Sequence, residues 1–130
     1  MIVLDASIVV ELLRNGPLAD SLRRELAGQA ETFIAPHLLD IEVMSALRHL
    51  AAGLPIDWHR SAQLLEQLAA LPVQRYPHTP LLARIWELRH NFTSYDAAYI
   101  ALAEAANATL YTSDVKLCKG HRAQVVLFSA

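Results

Sequence analysis

The hydrophobic pattern of this chain divides into short apolar runs and longer stretches with helical spacing. The short runs occupy residues 2–4, 32–35, 72–76, 109–112 and 125–128. Runs of this length predict strands, and the first one is typical of a strand buried on both faces in a parallel sheet. Pro36 is expected to end the second strand.

The longer stretches carry apolar residues three and four positions apart, which is the spacing of one helix face. They predict helices over residues 8–14, 18–27, 37–52, 58–70, 80–88 and 94–106. The predicted amino-terminal caps are Ser7, Asp57, Thr79 and, for the last helix, Thr93 or Ser94. Strands and helices therefore alternate, which predicts an α/β fold: an α/β/α sandwich with a central, mainly parallel sheet of four to five strands.

Composition narrows the possible classes of protein. A length of 130 residues favours a single domain over residues 1–130. The 11 basic and 13 acidic residues leave a formal charge of −2, which argues against a dedicated nucleic-acid coat protein. Cys118 is the one cysteine, so the composition fits a reducing cytoplasm. No signal peptide and no membrane-spanning apolar stretch are expected.

Two acidic residues directly follow predicted strands. Asp5 comes after the first strand, and Asp114 comes after the strand that ends at Thr112. Ligands of open α/β sheets bind at the carboxyl ends of the strands, so both acids are candidates for a site. Asp5 taken alone could equally be a turn residue.

Two further acids lie on apolar faces of predicted helices. Glu42 is flanked by apolar residues one turn away on either side, and a buried carboxylate there needs a cationic partner. It could alternatively lie at a boundary and reach water. Asp96 lies in the first turn of its helix, on the face of Tyr99, where it could also serve only the helix terminus. Asp40 points to a different face and is expected to be a solvated charge.

All four acids can converge at one edge of the sheet. Clustered carboxylates repel one another unless a cation neutralises them. Mg²⁺ and Mn²⁺ prefer oxygen ligands and suit such a cluster. A bound divalent cation can activate water and stabilise charge on a phosphoryl oxygen.

The chain resembles PIN-domain ribonucleases, specifically VapC-type toxins of prokaryotic toxin–antitoxin pairs. The resembling segments span the chain in the order of the family: Ile2-Val3-Leu4-Asp5-Ala6-Ser7, Pro36-His37-Leu38-Leu39-Asp40-Ile41-Glu42-Val43, Tyr95-Asp96-Ala97-Ala98-Tyr99-Ile100-Ala101-Leu102-Ala103 and Thr112-Ser113-Asp114. Residues 53–92 carry little of this signature. The acidic quartet of the family falls on Asp5, Glu42, Asp96 and Asp114, and its supporting hydroxyls fall on Ser7 and Thr112.

This resemblance implies a metal-dependent endoribonuclease that leaves 5′-phosphate and 3′-hydroxyl ends. It implies Asp5, Asp96 and Asp114 as ligands of Mg²⁺ or Mn²⁺, directly or through water. Glu42 would bind the metal or orient the attacking water. It also implies a cognate antitoxin as partner.

Three basic residues after the last acid are candidates for holding RNA phosphates: Lys116, Lys119 and Arg122. They could equally be ordinary surface charges.

The apolar residues in stretches 18–27, 37–50 and 81–88 exceed what one small sheet is expected to cover. A homodimer and a groove for an antitoxin segment are therefore expected.

Two other classes of protein remain open. A DNA or flap nuclease could use the same quartet, although no duplex-clamping insertion is evident. A phospho-accepting signalling domain also places acids at strand ends. That class would need a second acid near the first strand, and it leaves Glu42 without a role.

Overall fold

A parallel sheet forms the centre of the molecule. The structure is a computed structural model, and it describes residues 1–51 and 58–129. Five strands are present in these residues: β1 (Ile2–Leu4), β2 (Phe33–Pro36), β3 (Val73–Tyr76), β4 (Thr109–Thr112) and β5 (Gln124–Leu127). They lie in the order β3-β2-β1-β4-β5, and every neighbouring pair is parallel. The predicted fold class is confirmed.

Six α-helices connect the strands in the described residues. They are α1 (Ala6–Leu13), α2 (Ala19–Ala27), α3 (Leu38–Ala51), α4 (Trp58–Ala70), α5 (Leu82–Glu87) and α6 (Ser94–Ala105). Short 3₁₀ helices cover Thr79–Leu81 and Val115–Cys118. None of the helices that the structure describes combines the length and the apolar character needed to cross a membrane.

The strand order places a switch point beside β1. From β1 the chain adds β2 and β3 on one side, and it then adds β4 and β5 on the other side. At such a reversal the helices diverge and leave a crevice at the carboxyl ends of the strands. β1 lies at the centre, with Ile2, Val3 and Leu4 all buried. Asp5 and Asp114 thus follow the two strands that flank the crevice.

Local chemistry shifted several predicted boundaries. Ser7 is not the cap of α1; Asp5 has extended backbone geometry and its side chain accepts from the Ile8 N–H. β2 ends at Pro36 as predicted, and the proline is itself the last residue of the strand, paired with Tyr76 of β3. Thr79 is not a cap, because it is the first residue of the 3₁₀ helix Thr79–Leu81 that precedes α5. Thr93 caps α6, as one of the two predicted candidates.

The remaining differences are small. The last strand begins at Gln124 rather than Val125, and α2 begins at Ala19. Two predicted positions lie outside the described residues: Ala52, the predicted last residue of α3, and Asp57, the predicted cap of α4.

Asp40 was expected to be a solvated charge, and this was wrong. Its side chain accepts a hydrogen bond from Arg75 Nη2 at 2.8 Å. The same guanidinium donates to the backbone oxygens of Leu68, Leu71 and Val73. Arg75 comes from β3, distant in sequence, so the α3 pattern alone could not reveal this pair. The ion pair joins α3 to the neighbouring edge of the sheet.

Candidate active site

Asp5 is the most enclosed acid of the site, with 6% of its surface exposed. Ser7 Oγ donates to its Oδ1 at 2.5 Å, and the Ile8 N–H donates to the same oxygen at 3.2 Å. Thr112 Oγ1 donates to Oδ2. Both carboxylate oxygens are therefore oriented by neighbouring donors. Burial is the largest influence on the pKa of Asp5 and raises it, against the opposing effect of these hydrogen bonds.

The hydroxyls of Ser7 and Thr112 also link Asp5 to the loop after β4. The Asp114 N–H donates to Thr112 Oγ1 at 3.0 Å, and the Ser113 N–H donates to Ser7 Oγ at 3.0 Å. Asp114 in turn accepts from the Lys116 N–H at 3.0 Å and begins the 3₁₀ helix 115–118. Thus one hydroxyl network fixes the positions of two acids that come from different strands.

Asp96 approaches the crevice from the first turn of α6. Its N–H donates to Thr93 Oγ1 at 3.1 Å, the capping bond that starts this helix. Burial raises the pKa of the Asp96 carboxyl, and the negative charge of Asp114 raises it further. The positive charge of Lys116 lowers the pKa of Asp96. Asp96 and Asp114 are therefore close enough to repel each other.

Glu42 reaches the same region from the second turn of α3. Burial is the main reason that its pKa is raised, and repulsion from Asp96 and Asp5 adds to the effect. Within residues 1–51 and 58–129, its buried Oε1 atom has no hydrogen-bond partner, and neither does the buried Tyr99 hydroxyl. The Glu42 charge nevertheless raises the pKa of Tyr99, after the larger effect of burial. The two side chains thus interact without completing a well-formed hydrogen bond.

The electrostatics link all four predicted acids. The negative charge of Asp96 raises the pKa values of Asp5 and Glu42, and the negative charge of Asp114 raises the pKa of Asp96. The four side chains offer only oxygen atoms as metal ligands, and among the described residues the Oε1 atom of Glu42 has no hydrogen-bond partner. The residues therefore fit a hard divalent cation. In the described part of the chain, however, no three such side chains already stand as a metal cage. The fit therefore rests on the chemistry of the four side chains.

The predicted phosphate contacts divide between two regions. Lys116 is exposed and acts on the charge of Asp96, so it lies at the site. Lys119 is exposed just beyond the 3₁₀ helix. The Arg122 N–H instead donates to Glu104 Oε2 at 2.8 Å, near the end of α6. Eight residues separate Asp96 from Glu104, about 12 Å along the helix axis. Arg122 is therefore not brought to the acids.

The contact of Tyr99 with Glu42 is not predicted by the sequence pattern. Tyr99 is 1% exposed and lies one turn after Asp96 on α6. Its place on the same face as Asp96 was visible in the sequence. Its role was not visible, because the partner comes from α3, far away along the chain.

Comparison with known proteins gives three consistent likenesses. Residues 2–121 match the family model described as PIN domain. Ribonuclease VapC9 of Mycobacterium tuberculosis is 42% identical over 124 residues, which cover 95% of this chain and 94% of that protein. Ribonuclease VapC12 of the same organism is 39% identical over 129 residues, covering 98% of each.

A solved structure extends the comparison to three dimensions. VapBC2 from Rickettsia felis, bound to a DNA fragment from their promoter, matches with a TM-score of 0.70 and 18% identity. The match covers 99% of this chain and 100% of that one. At this identity the likeness shows the fold.

Proposed function

The chain belongs to the PIN-domain family, and from that premise we propose that it is a metal-dependent endoribonuclease, the toxin of a toxin–antitoxin pair. One observation carries the proposal. Four acids from separate elements lie near the switch point of the sheet, and the pKa values of Asp5, Glu42 and Asp96 are raised. A bound cation would lower these pKa values. The identity to VapC ribonucleases over nearly the whole chain supports the choice of RNA as substrate.

Each acid has a distinct part in this proposal. Asp5, Asp96 and Asp114 would hold Mg²⁺ or Mn²⁺, directly or through water. Glu42 would bind the metal or orient the attacking water, and its raised pKa suits it to hold the proton that the water loses. The bound cation would supply positive charge for activating water and stabilising the phosphoryl oxygens. Hydrolysis then leaves a 5′-phosphate and a 3′-hydroxyl.

Ser7 and Thr112 are positioning residues in this scheme. Each donates to one oxygen of Asp5, and each also accepts an N–H from the loop that carries Asp114. Groups in the outer shell of a metal site orient the ligands and raise their effectiveness. The two hydroxyls would therefore keep Asp5 and Asp114 in register for the cation, and Lys116 would hold a phosphate of the RNA.

An antitoxin and a second copy of this chain are the proposed protein partners, in the cytoplasm. Exposed apolar side chains on α3 and α5 support an interface: Ile41, Met44, Leu82 and Trp86. The third predicted source of exposed apolar surface was wrong, since Leu22 of α2 is fully buried and Leu18 and Leu26 are partly buried against the core. Of the three predicted stretches, only 37–50 and 81–88 therefore carry exposed large apolar side chains.

The first experiment separates this function from its rivals. Purified protein would be incubated with single-stranded RNA and single-stranded DNA of matched sequence, each with Mg²⁺, Mn²⁺ or EDTA. We expect RNA cleavage with metal, none with EDTA, and its loss in Asp96→Asn. Cleavage of DNA alone would favour a DNA nuclease. Absence of cleavage, together with phosphorylation of an aspartate by a small phosphodonor, would favour a signalling domain.

A further inference from the structure

A cavity of about 400 Å³ opens beside the acids, between α3 and the start of α6. One wall belongs to α3, where the lining residues follow the spacing of a single helix face: Leu38, Ile41, Glu42, Ser45, Ala46 and His49. The opposite wall is Tyr95, the residue before Asp96. We propose that this cavity receives one unpaired nucleobase of the RNA, stacked on the Tyr95 ring. The proposal rests on the ribonuclease function proposed above.

The cavity lies where a nucleotide of bound RNA would be expected. The cavity shares Glu42 with the acidic site, and Tyr95 adjoins Asp96 in the sequence. A base held there belongs to a nucleotide at or next to the phosphate that the acids would address. Lys116, from the loop after β4, is exposed, and its positive charge lowers the pKa of Asp96. A single strand could thus place a base in the cavity and a neighbouring phosphate beside this lysine.

The walls of the cavity also have the chemistry expected of a site for a nucleobase. The Tyr95 side chain is 59% exposed, and Ile41 across the cavity is 67% exposed, although both are large and apolar. A planar base between them would cover both surfaces. Ser45 and His49 supply hydrogen-bonding groups for the edge of a base. Proteins recognise unpaired RNA bases by this combination of aromatic stacking and edge contacts.

Size and location favour a base over a peptide of a protein partner. Sites for one small molecule have volumes of roughly 300 to 1,000 Å³, and this cavity lies near the lower end. A peptide that adds to a sheet needs an edge strand, and the edge strands here are β3 and β5. The cavity lies instead beside the acids that follow β1 and β4. Its volume suits a single planar group.

Substitutions at Tyr95 test the stacking. Tyr95→Phe keeps the ring, whereas Tyr95→Leu removes the ring and keeps an apolar side chain. Tyr76→Leu is a matched control, because it makes the same change at an exposed tyrosine of the edge strand β3 that does not line the cavity. We expect Tyr95→Leu to lower kcat/KM on single-stranded RNA by about tenfold, within the effect of losing one base–aromatic stack. Tyr95→Phe and Tyr76→Leu should stay within about twofold of the parent.

An abasic series identifies the nucleotide. Each position of one RNA substrate is replaced in turn by an abasic ribose. We expect one position, at or next to the cleaved bond, where the parent loses about tenfold in kcat/KM and Tyr95→Leu loses nothing further. Unchanged kcat/KM in Tyr95→Leu, or an equal penalty in parent and variant at every position, would overturn the proposal. Unchanged RNA cleavage in Tyr95→Leu with weakened antitoxin binding would also overturn it and would assign the cavity to a peptide.

Binding without cleavage separates this proposal from the proposed function. Fluorescence anisotropy of a labelled single-stranded RNA would be measured in EDTA, where no metal-dependent cleavage occurs. We expect Tyr95→Leu to weaken binding by several-fold and Tyr95→Phe to leave it unchanged. If no RNA is cleaved under any condition but this pattern persists, the endoribonuclease function fails and the base site stands. If RNA is cleaved but the binding of all variants is equal, the base site fails alone.

Discussion

Asp96 and Glu104 belong to the same helix, α6, and yet have opposite electrostatic surroundings. Glu104 accepts hydrogen bonds from Arg84 Nε at 2.7 Å and Arg84 Nη2 at 3.0 Å, and also from the Arg122 N–H. These contacts, led by the Arg84 hydrogen bond, lower the pKa of Glu104. Asp96 faces other carboxylates, and its pKa is raised.

The difference distinguishes an acid that serves the fold from one that serves chemistry. Glu104 joins α5, α6 and the segment before β5, and its charge is matched locally by the guanidinium of Arg84. The cluster around Asp96 keeps unmatched negative charge, which costs stability and is retained where a ligand compensates for it. Helical spacing does not show which of the two acids is matched by a cation; their partners in the fold do.

Removing one charge from the cluster should have the largest effect on activity. Asp5→Asn keeps the shape and can still cap α1, since asparagine is as good a cap as aspartate. We expect RNA cleavage to fall by more than about 100-fold, because a metal ligand matters more than its supporting groups, whose loss costs about 10- to 100-fold. Stability without metal should be unchanged or raised, because repulsion falls. Cleavage rates and thermal melts in EDTA would check both parts; retained metal-dependent cleavage would contradict the assignment.

Thr112→Val should have the next largest effect. The change preserves the shape but removes a buried hydroxyl that donates to Asp5 and accepts from the Asp114 N–H. We expect cleavage to fall by about 10- to 100-fold. The free energy of unfolding should fall by about 1 to 3 kcal/mol, since the Asp114 N–H loses its partner. Thr109→Val, at the start of the same strand, is the control for the loss of a hydroxyl far from the acids.

Glu104→Gln should have the opposite effect to the one expected of Asp5→Asn: it should lower stability and leave RNA cleavage nearly unchanged. It weakens the bonds from Arg84 and the Arg122 N–H, and hydrogen bonds to charged groups contribute about 1.5 to 3 kcal/mol each. Because Arg84 is partly exposed, we expect a loss of about 1 to 2 kcal/mol in the free energy of unfolding. Cleavage should remain within about twofold. Urea denaturation and initial cleavage rates would measure the two effects; a large loss of cleavage in a folded variant would break the comparison.

The pH dependence of stability should differ in sign between the two ends of α6. A raised carboxyl pKa means that the folded chain binds protons more readily, so the Asp96 contribution becomes less favourable as the pH rises above about 4. A lowered pKa means that the Glu104 contribution is present above its unfolded pKa and is lost as the pH falls.

Unfolding free energies in EDTA at several pH values would test this smaller effect. The stability of the parent minus that of Asp96→Asn should decrease between pH 4 and pH 7, roughly the range above the ordinary carboxyl pKa. The same difference for Glu104→Gln should increase as the pH rises toward about 4, the ordinary carboxyl pKa, and then level off. Equal slopes for both variants would remove the electrostatic distinction.

The sequence predicted what depends on local pattern. The apolar runs before Asp5 and Asp114 located β1 and β4, and the three-and-four spacing of α3 placed Glu42 on a buried face. Pairings between distant segments were not accessible. The Asp40–Arg75 pair joins residues 35 positions apart, and Arg122 is held at Glu104 rather than near the acids.

The choice between adjacent candidates also needed the structure. Asp5 and Ser7 are both good cap residues. The extended backbone of Asp5 makes it the cap, and Ser7, inside the first turn, donates its hydroxyl to Asp5. Likewise Tyr95 and Tyr99 flank Asp96 in the sequence, but only the fold shows that one lines a cavity and the other is buried against Glu42.

Direct titration of Mn²⁺ tests the central claim that the acids around Asp96 form a cation site. Electron paramagnetic resonance of free Mn²⁺ would give the Kd for the parent, Asp96→Asn and Glu104→Gln under identical conditions. We expect saturable binding by the parent, binding at least about tenfold weaker in Asp96→Asn, and an unchanged Kd in Glu104→Gln. Equal Mn²⁺ affinity in the parent and a folded Asp96→Asn, or weaker binding only in Glu104→Gln, would contradict the claim.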